Sequence, residues 1–386
     1  MTQPKFKHYD LHLVNPDFNS SLTDLIIDLN HLRKKQLSGT TPPQIFFNLK
    51  TIFHMLESIG SARIEGNNTS LLEYIETKLD EKTDVPLSIK EIQNIENAMN
   101  FVETNVKNHP INRAFISEIH KIVVHELPPP PKGEGDKTPG QYRKGNLQIT
   151  KSKHLPPDFT LVEDYMNELF QFINLEDGTK FDLLKTAIAH HRFVWIHPFG
   201  NGNGRTVRLF TYAMLIKLGF NVDVGRIINP TAIFCNHRTN YYKYLQQADT
   251  GEKDGILAWC EYVLYGLKDE IEKIDKLLDY SYLSKEILTP TINYSISKKY
   301  ISDIEAKILR KAIENQTIQS VDLKDIFSGK HSSEISRQLK KLIDKRMLQR
   351  IGNRDYTINF GDNYLLRSII KILGERGFLP HLDEKS

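Results

Sequence analysis

Apolar residues recur at three- and four-residue steps through most of this chain, the period of an amphipathic helix. The pattern is clearest over 22–37, 44–60, 89–106 and 111–127. Asn19, Ser20 and Ser21 supply N-cap material ahead of the first of these. Four prolines at 128–131 and the run GEGDKTPG then break the period. Residues 140–150, GQYRKGNLQIT, alternate Leu147 and Ile149 with polar residues around Lys144, Gly145 and Asn146, which predicts a short hairpin ended by residues 154–157. Helical spacing returns over 158–174, 181–197, about 203–218, and 256–280. Residues 281–302 read as a polar connection containing Pro290. Three short helical segments follow, IEAKILRKAI, SVDLKDIFSG and SSEISRQLKKLIDKRML, and a hairpin spans 349–360. That order predicts a winged helix-turn-helix with 332–345 as its recognition helix. The expected fold is mainly α: a helical bundle with a small β-hairpin flap, plus a C-terminal winged helix-turn-helix domain.

Composition narrows the class without naming it. The 386 residues, 39% hydrophobic and 26% charged, suit a globular protein of two or three domains. No signal-peptide-like start and no apolar run of membrane length occur, so a cytoplasmic protein with no membrane partner is expected. Cys235 and Cys260 are the only cysteines and lack metal-ligand spacing. The net charge of +3 is unevenly spread. Residues 291–386 hold 18 Lys/Arg against 12 Asp/Glu, which makes the C-terminal end the place for an acidic partner such as DNA.

The candidate chemistry lies in HPFGNGNGRTVR, residues 197–208. A glycine-rich turn lets backbone N–H groups approach an anion, and a helix start behind it adds a favourable dipole. Arg205 and Arg208, three apart, share a helix face and can fork onto phosphate oxygens. His197 beside them is placed for proton transfer. These residues point to nucleotide phosphate chemistry. The spacing fits neither a P-loop nor a dinucleotide fingerprint. The adjacent His190 and His191 point to different faces of a helix, and core or capping roles outweigh metal binding. Tyr241 and Tyr242 divide evenly between packing and base contact.

HPFGNGNGRTVR resembles the signature of Fic (Fido) proteins, HPFx[D/E]GNGRxxR. Ser61-Ala62-Arg63-Ile64-Glu65-Gly66 resembles the [S/T]xxxE[G/N] inhibitory motif of the class that carries it ahead of the core. The stretch GQYRKGNLQI resembles the family's flap, and the Tyr241-Tyr242 pair matches the usual downstream pattern. The resemblance runs from about residue 40 to 280. It implies four regions: 1–95, a helical region with the inhibitory motif; 96–280, the Fic core; 281–302, a linker; and 303–386, the winged helix.

The resemblance further implies transfer of AMP from ATP to a Ser, Thr or Tyr hydroxyl of a target protein, or of the protein itself. His197 would be the catalytic base. Gly202, Asn203, Gly204, Arg205, Thr206, Val207 and Arg208 would bind nucleotide, with Asn240 a weaker carry-over. Arg205 would neutralise the leaving pyrophosphate, and Arg208 would reach the γ-phosphate. Ser61, Glu65 and Gly66 would form the inhibitory motif, with Glu65 pairing Arg208 and standing beside the nucleotide. Leu147 and Ile149 of the flap would line up the target peptide by strand addition. Relatives often form homodimers. Asn201 stands where the family has an acidic ligand for Mg²⁺ or Mn²⁺; an amide oxygen brings no charge, so ATP's phosphates would supply most of the metal's ligation. Two rival functions stay open: a regulator whose winged helix binds DNA or a protein beside a weak or inactive Fic body, and an enzyme that removes AMP from a modified partner.

Overall fold

The computed structural model describes residues 6–34, 39–80, 84–149, 152–220, 227–236, 238–328 and 332–379. The helices in chain order are α1 (Ser21–Lys34), α2 (Pro43–Ile64), α3 (Leu71–Leu79), α4 (Leu87–Asn105), α5 (Arg113–Val123), α6 (Val162–Asn174), α7 (Asp182–Ile196), α8 (Asn203–Lys217), α9 (Pro230–Asn236), α10 (Arg238–Ala248), α11 (Lys253–Asp275), α12 (Tyr280–Tyr282), α13 (Thr289–Ser297), α14 (Asp303–Asn315), α15 (Ser332–Asp344) and α16 (Leu365–Glu375). The sheet is one antiparallel pair, β1 (Leu348–Ile351) with β2 (Asp355–Ile358), in which Leu348 faces Ile358. No helix is long and apolar enough to cross a membrane among the described residues.

Two apolar cores organise the chain. The first gathers α1, α5 to α8 and α11, with α7 at its centre. Thirteen of the 15 residues of α7 are buried, so its polar groups must find partners inside. His190 lies between Thr211 Oγ1 (2.7 Å) and the Tyr241 hydroxyl (3.0 Å), His191 meets Asp249 (3.0 Å), and Arg192 donates to Glu168 (2.5 Å). Arg192 is also enclosed by the Tyr9, Tyr165 and Trp195 rings. The two histidines are therefore core groups, the structural side of the sequence reading.

The second core joins α2 and the first half of α4 to everything from Ile274 onward. Helix α2 is its strut. Ile45, Leu49, Ile52, Phe53, Leu56 and Ile59 pack with Leu309, Ile318, Phe360 and Leu365 in this cluster. Asn48 Oδ1 accepts from the Phe360 and Gly361 N–H groups at 3.3 and 3.0 Å, which fastens α2 to the chain beyond β2.

Several elements differ from the sequence expectation. Residues 140–149 form an extended loop with no strand among the described residues, and Thr150 lies outside them. Its backbone is held by side chains: Asn146 donates to Asp158 (2.8 Å), and Arg143 donates to the Gly145 carbonyl (3.0 Å). The expected linker at 281–302 is helical, through α12, a wide turn at Leu283–Leu288 and α13. Leu283, Ile287, Leu288 and Ile292 bury one face there, a helical spacing hidden by the surrounding polar residues. The middle tail helix is reduced to a short 3₁₀ turn at Ser320–Leu323. An additional helix, α16, packs on α13.

Candidate functional site

Helix α7 stops because His197 adopts a left-handed conformation (φ 52°, ψ 62°), which a side chain other than glycine takes up against a steric penalty. Arg143 holds this bend. Its N–H donates to Pro198 O (2.8 Å), and its guanidinium donates to the carbonyls of His197 (2.9 Å), Gly145 (3.0 Å) and Pro157 (2.5 Å). A cation at the carbonyl end of α7 is favourable, and one side chain thereby ties both ends of the 140–157 loop to the turn that carries His197.

The loop between α7 and α8 is clamped from within. The Phe199 N–H donates to Asn203 Oδ1 and Asn203 Nδ2 donates to the Phe199 carbonyl, both at 2.9 Å. His120 stacks on Phe199 with centroids 3.8 Å apart, donates from Nε2 to the Asn201 carbonyl (2.9 Å) and accepts the Gly140 N–H at Nδ1 (2.8 Å). Burial pushes the His120 imidazole down to about 4, so it stays neutral and can do both. Gly202, at φ 76°, caps α8, and a Cβ there would lie 3.0 Å from Val124. The N–H groups of Asn203, Gly204 and Arg205 meet no acceptor among the described residues, because the first bond within α8 is Thr206 N–H to Gly202 O. An anion cradle results.

Glu65 occupies the mouth of that cradle. A Cβ on Gly204 would sit 2.0 Å from Glu65 Oε1. The same oxygen accepts from Arg208 Nη2 at 2.8 Å, while Ser61 accepts from Arg208 through Oγ (2.8 Å) and its carbonyl (2.9 Å). Arg208 Nη1 has no hydrogen-bond acceptor among the described residues and lies 3.2 Å from that Gly204 Cβ position. Burial would raise the Glu65 carboxyl, but Arg208, then Arg205 and His197, hold it below its ordinary value. The carboxylate is charged at neutral pH.

His197 lies on the adjoining turn. Its Nδ1 donates to the Val194 carbonyl at 3.3 Å, which leaves the lone pair on Nε2. Burial lowers this imidazole to about 4, with Arg143 adding to the shift and the Val194 bond and Glu65 opposing it. A neutral ring at pH 7 is what a general base requires.

The structure thus brings together Ser61, Glu65, His197, Gly202, Gly204, Arg205 and Arg208. Gly66 (φ 109°) shapes the turn after Glu65. Asn203 contributes its N–H to the cradle, while its side chain serves the loop. Thr206 and Val207 are buried within α8, Val207 in the first core. Asn240 is exposed on α10. Tyr241 is a packing residue through His190, whereas Tyr242 is 46% exposed and its hydroxyl donates to the Ile64 carbonyl at 3.5 Å, beside the Glu65 turn. Leu147 and Ile149 are half-buried on the extended loop.

Asn201 turns its amide N–H groups to acceptors, and Oδ1 is the atom a metal would use. Its Nδ2 donates to Glu134 (3.3 Å) and the Gly135 carbonyl (3.2 Å), both pure acceptors, and its N–H donates to Asp136 (2.8 Å). No cluster of three or more potential metal-binding side chains occurs among the described residues.

Sequence reasoning missed Arg143, His120, Glu134, Asp136 and Glu91. For Glu91 a signal existed: with Asn94, Ile95 and Ala98 it falls on the buried face of α4, where a carboxylate needs a partner. That partner is Arg205, at 2.8 Å.

Residues 110–215 match the Fic/DOC family. That stretch is similar to Fic domains. The chain is 31% identical over 207 residues to "Protein adenylyltransferase Fic" from Aedes aegypti, covering 52% of this chain and 38% of that protein. The protein of the same name from Nematostella vectensis is 31% identical over 198 residues, 50% of this chain and 42% of that one. The chain therefore spans roughly two-fifths of the length of these relatives. The fold is similar to that of a Fic family protein from Desulfovibrio desulfuricans G20 (TM-score 0.54, 18% identity), over 91% of this chain and 98% of that one.

Proposed function

We propose that this chain is an autoinhibited protein adenylyltransferase, transferring AMP from ATP to a protein hydroxyl. One observation carries the reading: the Glu65 carboxylate fills the space above Gly204 and ties up Arg208 beside an otherwise assembled cradle and base. With Glu65 displaced, the α8 N–H groups receive the phosphates and Arg208 takes the terminal one. His197 Nε2 removes the hydroxyl proton as the oxygen attacks the α-phosphorus. The bond from that phosphorus to the bridging oxygen breaks, and pyrophosphate leaves with the charge that Arg205 offsets. Mg²⁺ or Mn²⁺ would enter with ATP, ligated by its phosphates, and the steps above belong to the protein's own side chains. Leu147 and Ile149 would seat the target segment, which is this protein or another.

We assign 303–358 to a winged helix, from the order α14, short turn, α15, β1, β2 and the Ile318–Tyr356 bridge that closes it. Of the three basic residues of α15, Arg337 pairs with Glu334 and Lys341 with Glu305, which Lys345 just beyond the helix also meets. This favours a protein partner over DNA. A salt-sensitive DNA shift requiring α15 would reverse that choice.

The test is the position of the label. Incubated with ATP labelled at the α- or the γ-phosphate, Glu65→Gly protein is expected to acquire only the α label, and Glu65→Gly/His197→Ala neither. Incorporation of γ label would make the reaction phosphorylation. Loss of bound AMP from a pre-modified partner, abolished by Glu65→Gly, would make the activity AMP removal.

A further inference from the structure

Arg205 and Arg208 are held differently. Arg208 meets the removable Glu65, whose side chain is 30% exposed, whereas Arg205 meets Glu91, whose side chain is 3% exposed. Glu91 Oε1 lies 2.8 Å from Arg205 Nη1. Its other oxygen accepts from Asn67 Nδ2 at 2.7 Å, and that nitrogen also donates to the Ser88 carbonyl at 2.7 Å. Asn67 belongs to the turn that carries Glu65, since its N–H donates to Ala62 O (3.1 Å). On the other side, Arg205 Nη2 donates to the Glu134 carbonyl at 2.7 Å, in the loop that also meets Asn201.

We infer that Glu91 is a positioning residue for the transfer reaction: it fixes Arg205 from the buried side, and Asn67 ties that support to the inhibitory turn. The physical reason is the fork of the guanidinium. Glu91 holds Nη1 by charge at close range and without hydrogen-bond alignment, while Nη2 donates to a loop carbonyl that phosphate oxygens can replace, so the buried charge keeps the planar group in place. Glu91 is desolvated, and burial raises its carboxyl while Arg205 opposes the rise, so the pair is a support whose charges need each other. The inference rests on the adenylyltransferase reading. Arg205 acts on charge that grows as pyrophosphate leaves, so misaiming it lowers kcat more than it raises KM for ATP.

The experiment uses the full chain in the Glu65→Gly background. Glu91→Gln keeps the shape and removes the charge; Asn67→Ala keeps the ion pair and cuts its tie to the turn. Glu91→Gln is expected to lower kcat about tenfold with KM for ATP changed by less than about twofold, and Asn67→Ala to give a smaller loss of the same kind. In an Arg205→Lys background, Glu91→Gln should have little further effect, because it acts through Arg205. Additive losses, or an unchanged kcat in a folded Glu91→Gln protein, would overturn the inference. Pyrophosphate binding by calorimetry gives a readout free of activity: Glu91→Gln should weaken it. Tighter binding would make Glu91 a second restraint and refute the positioning role. If the Glu65→Gly parent transfers no AMP, the functional reading fails, and the pyrophosphate result still decides this one.

Discussion

Replacing Glu65 in two ways separates charge from occupancy. Glu65→Gln leaves an atom against Gly204 but removes the negative charge; Glu65→Gly removes both. A carboxylate about 4 Å from a phosphate oxygen repels it by roughly 4 kcal/mol at an effective dielectric near 20. The Glu65 side chain is 30% exposed, so solvent screening reduces this to about 2 kcal/mol. That corresponds to roughly 30-fold in affinity. Titration calorimetry with a non-hydrolysable ATP analogue should therefore show Glu65→Gln binding about 10- to 30-fold more tightly than wild type. Glu65→Gly should exceed it, because the space above Gly204 is then also vacated. Affinities of all three proteins within threefold would refute the reasoning, since the carboxylate would then not compete with phosphate.

Other expectations follow from the same geometry. Gly204→Ala places a Cβ 2.0 Å from Glu65 Oε1 and should cost about 1–3 kcal/mol of stability in wild type but much less with Glu65→Gly; equal costs by denaturant unfolding would contradict the placement of Glu65. His197 titrates near 4 when folded and near 6.5 when unfolded, so its contribution to stability is present above pH 6.5 and fades as pH falls towards 4. Transfer by Glu65→Gly should accordingly be flat from about pH 6 to 8 and fall below about pH 5 for this group; an inflection near 6.5 would show the ring to be unperturbed. Asn48→Ala strands the Phe360 N–H and leaves the Gly361 N–H only its longer bond to Asn359 Oδ1 (3.4 Å), and should lower stability by about 1–3 kcal/mol, with a change under about 0.5 kcal/mol refuting the junction between α2 and the C-terminal elements.

The longer helices were legible because their apolar spacing is regular: the expected 44–60, 89–106, 158–174 and 181–197 are α2, α4, α6 and α7 with shifted ends. Residues 281–302 were not, since Leu283, Ile287 and Ile292 are too sparse to outweigh Pro290 and the polar positions between them. Pro290 is tolerated where the wide turn at Leu283–Leu288 runs into α13, since a widened turn accommodates the missing N–H. The flap loop misled for another reason: alternation of Leu147 and Ile149 imitates a strand, while Arg143 and Asn146 take over the bonding a ladder would supply. Within the site, the contiguous motif marked its own members, and Ser61 to Gly66 marked the turn that brings Glu65 to Arg208. Glu91, His120 and Arg143 come from distant elements, and only the fold brings them to Arg205, Asn201 and His197.

We propose that Glu65 restrains an otherwise assembled transfer site. Intact-mass analysis of wild type, Glu65→Gly and Glu65→Gly/His197→Ala after incubation with ATP and Mg²⁺ tests it most directly. AMP is expected on Glu65→Gly, little or none on wild type, and none on the double variant. Equal modification of all three, or none in Glu65→Gly while it binds ATP, would contradict it.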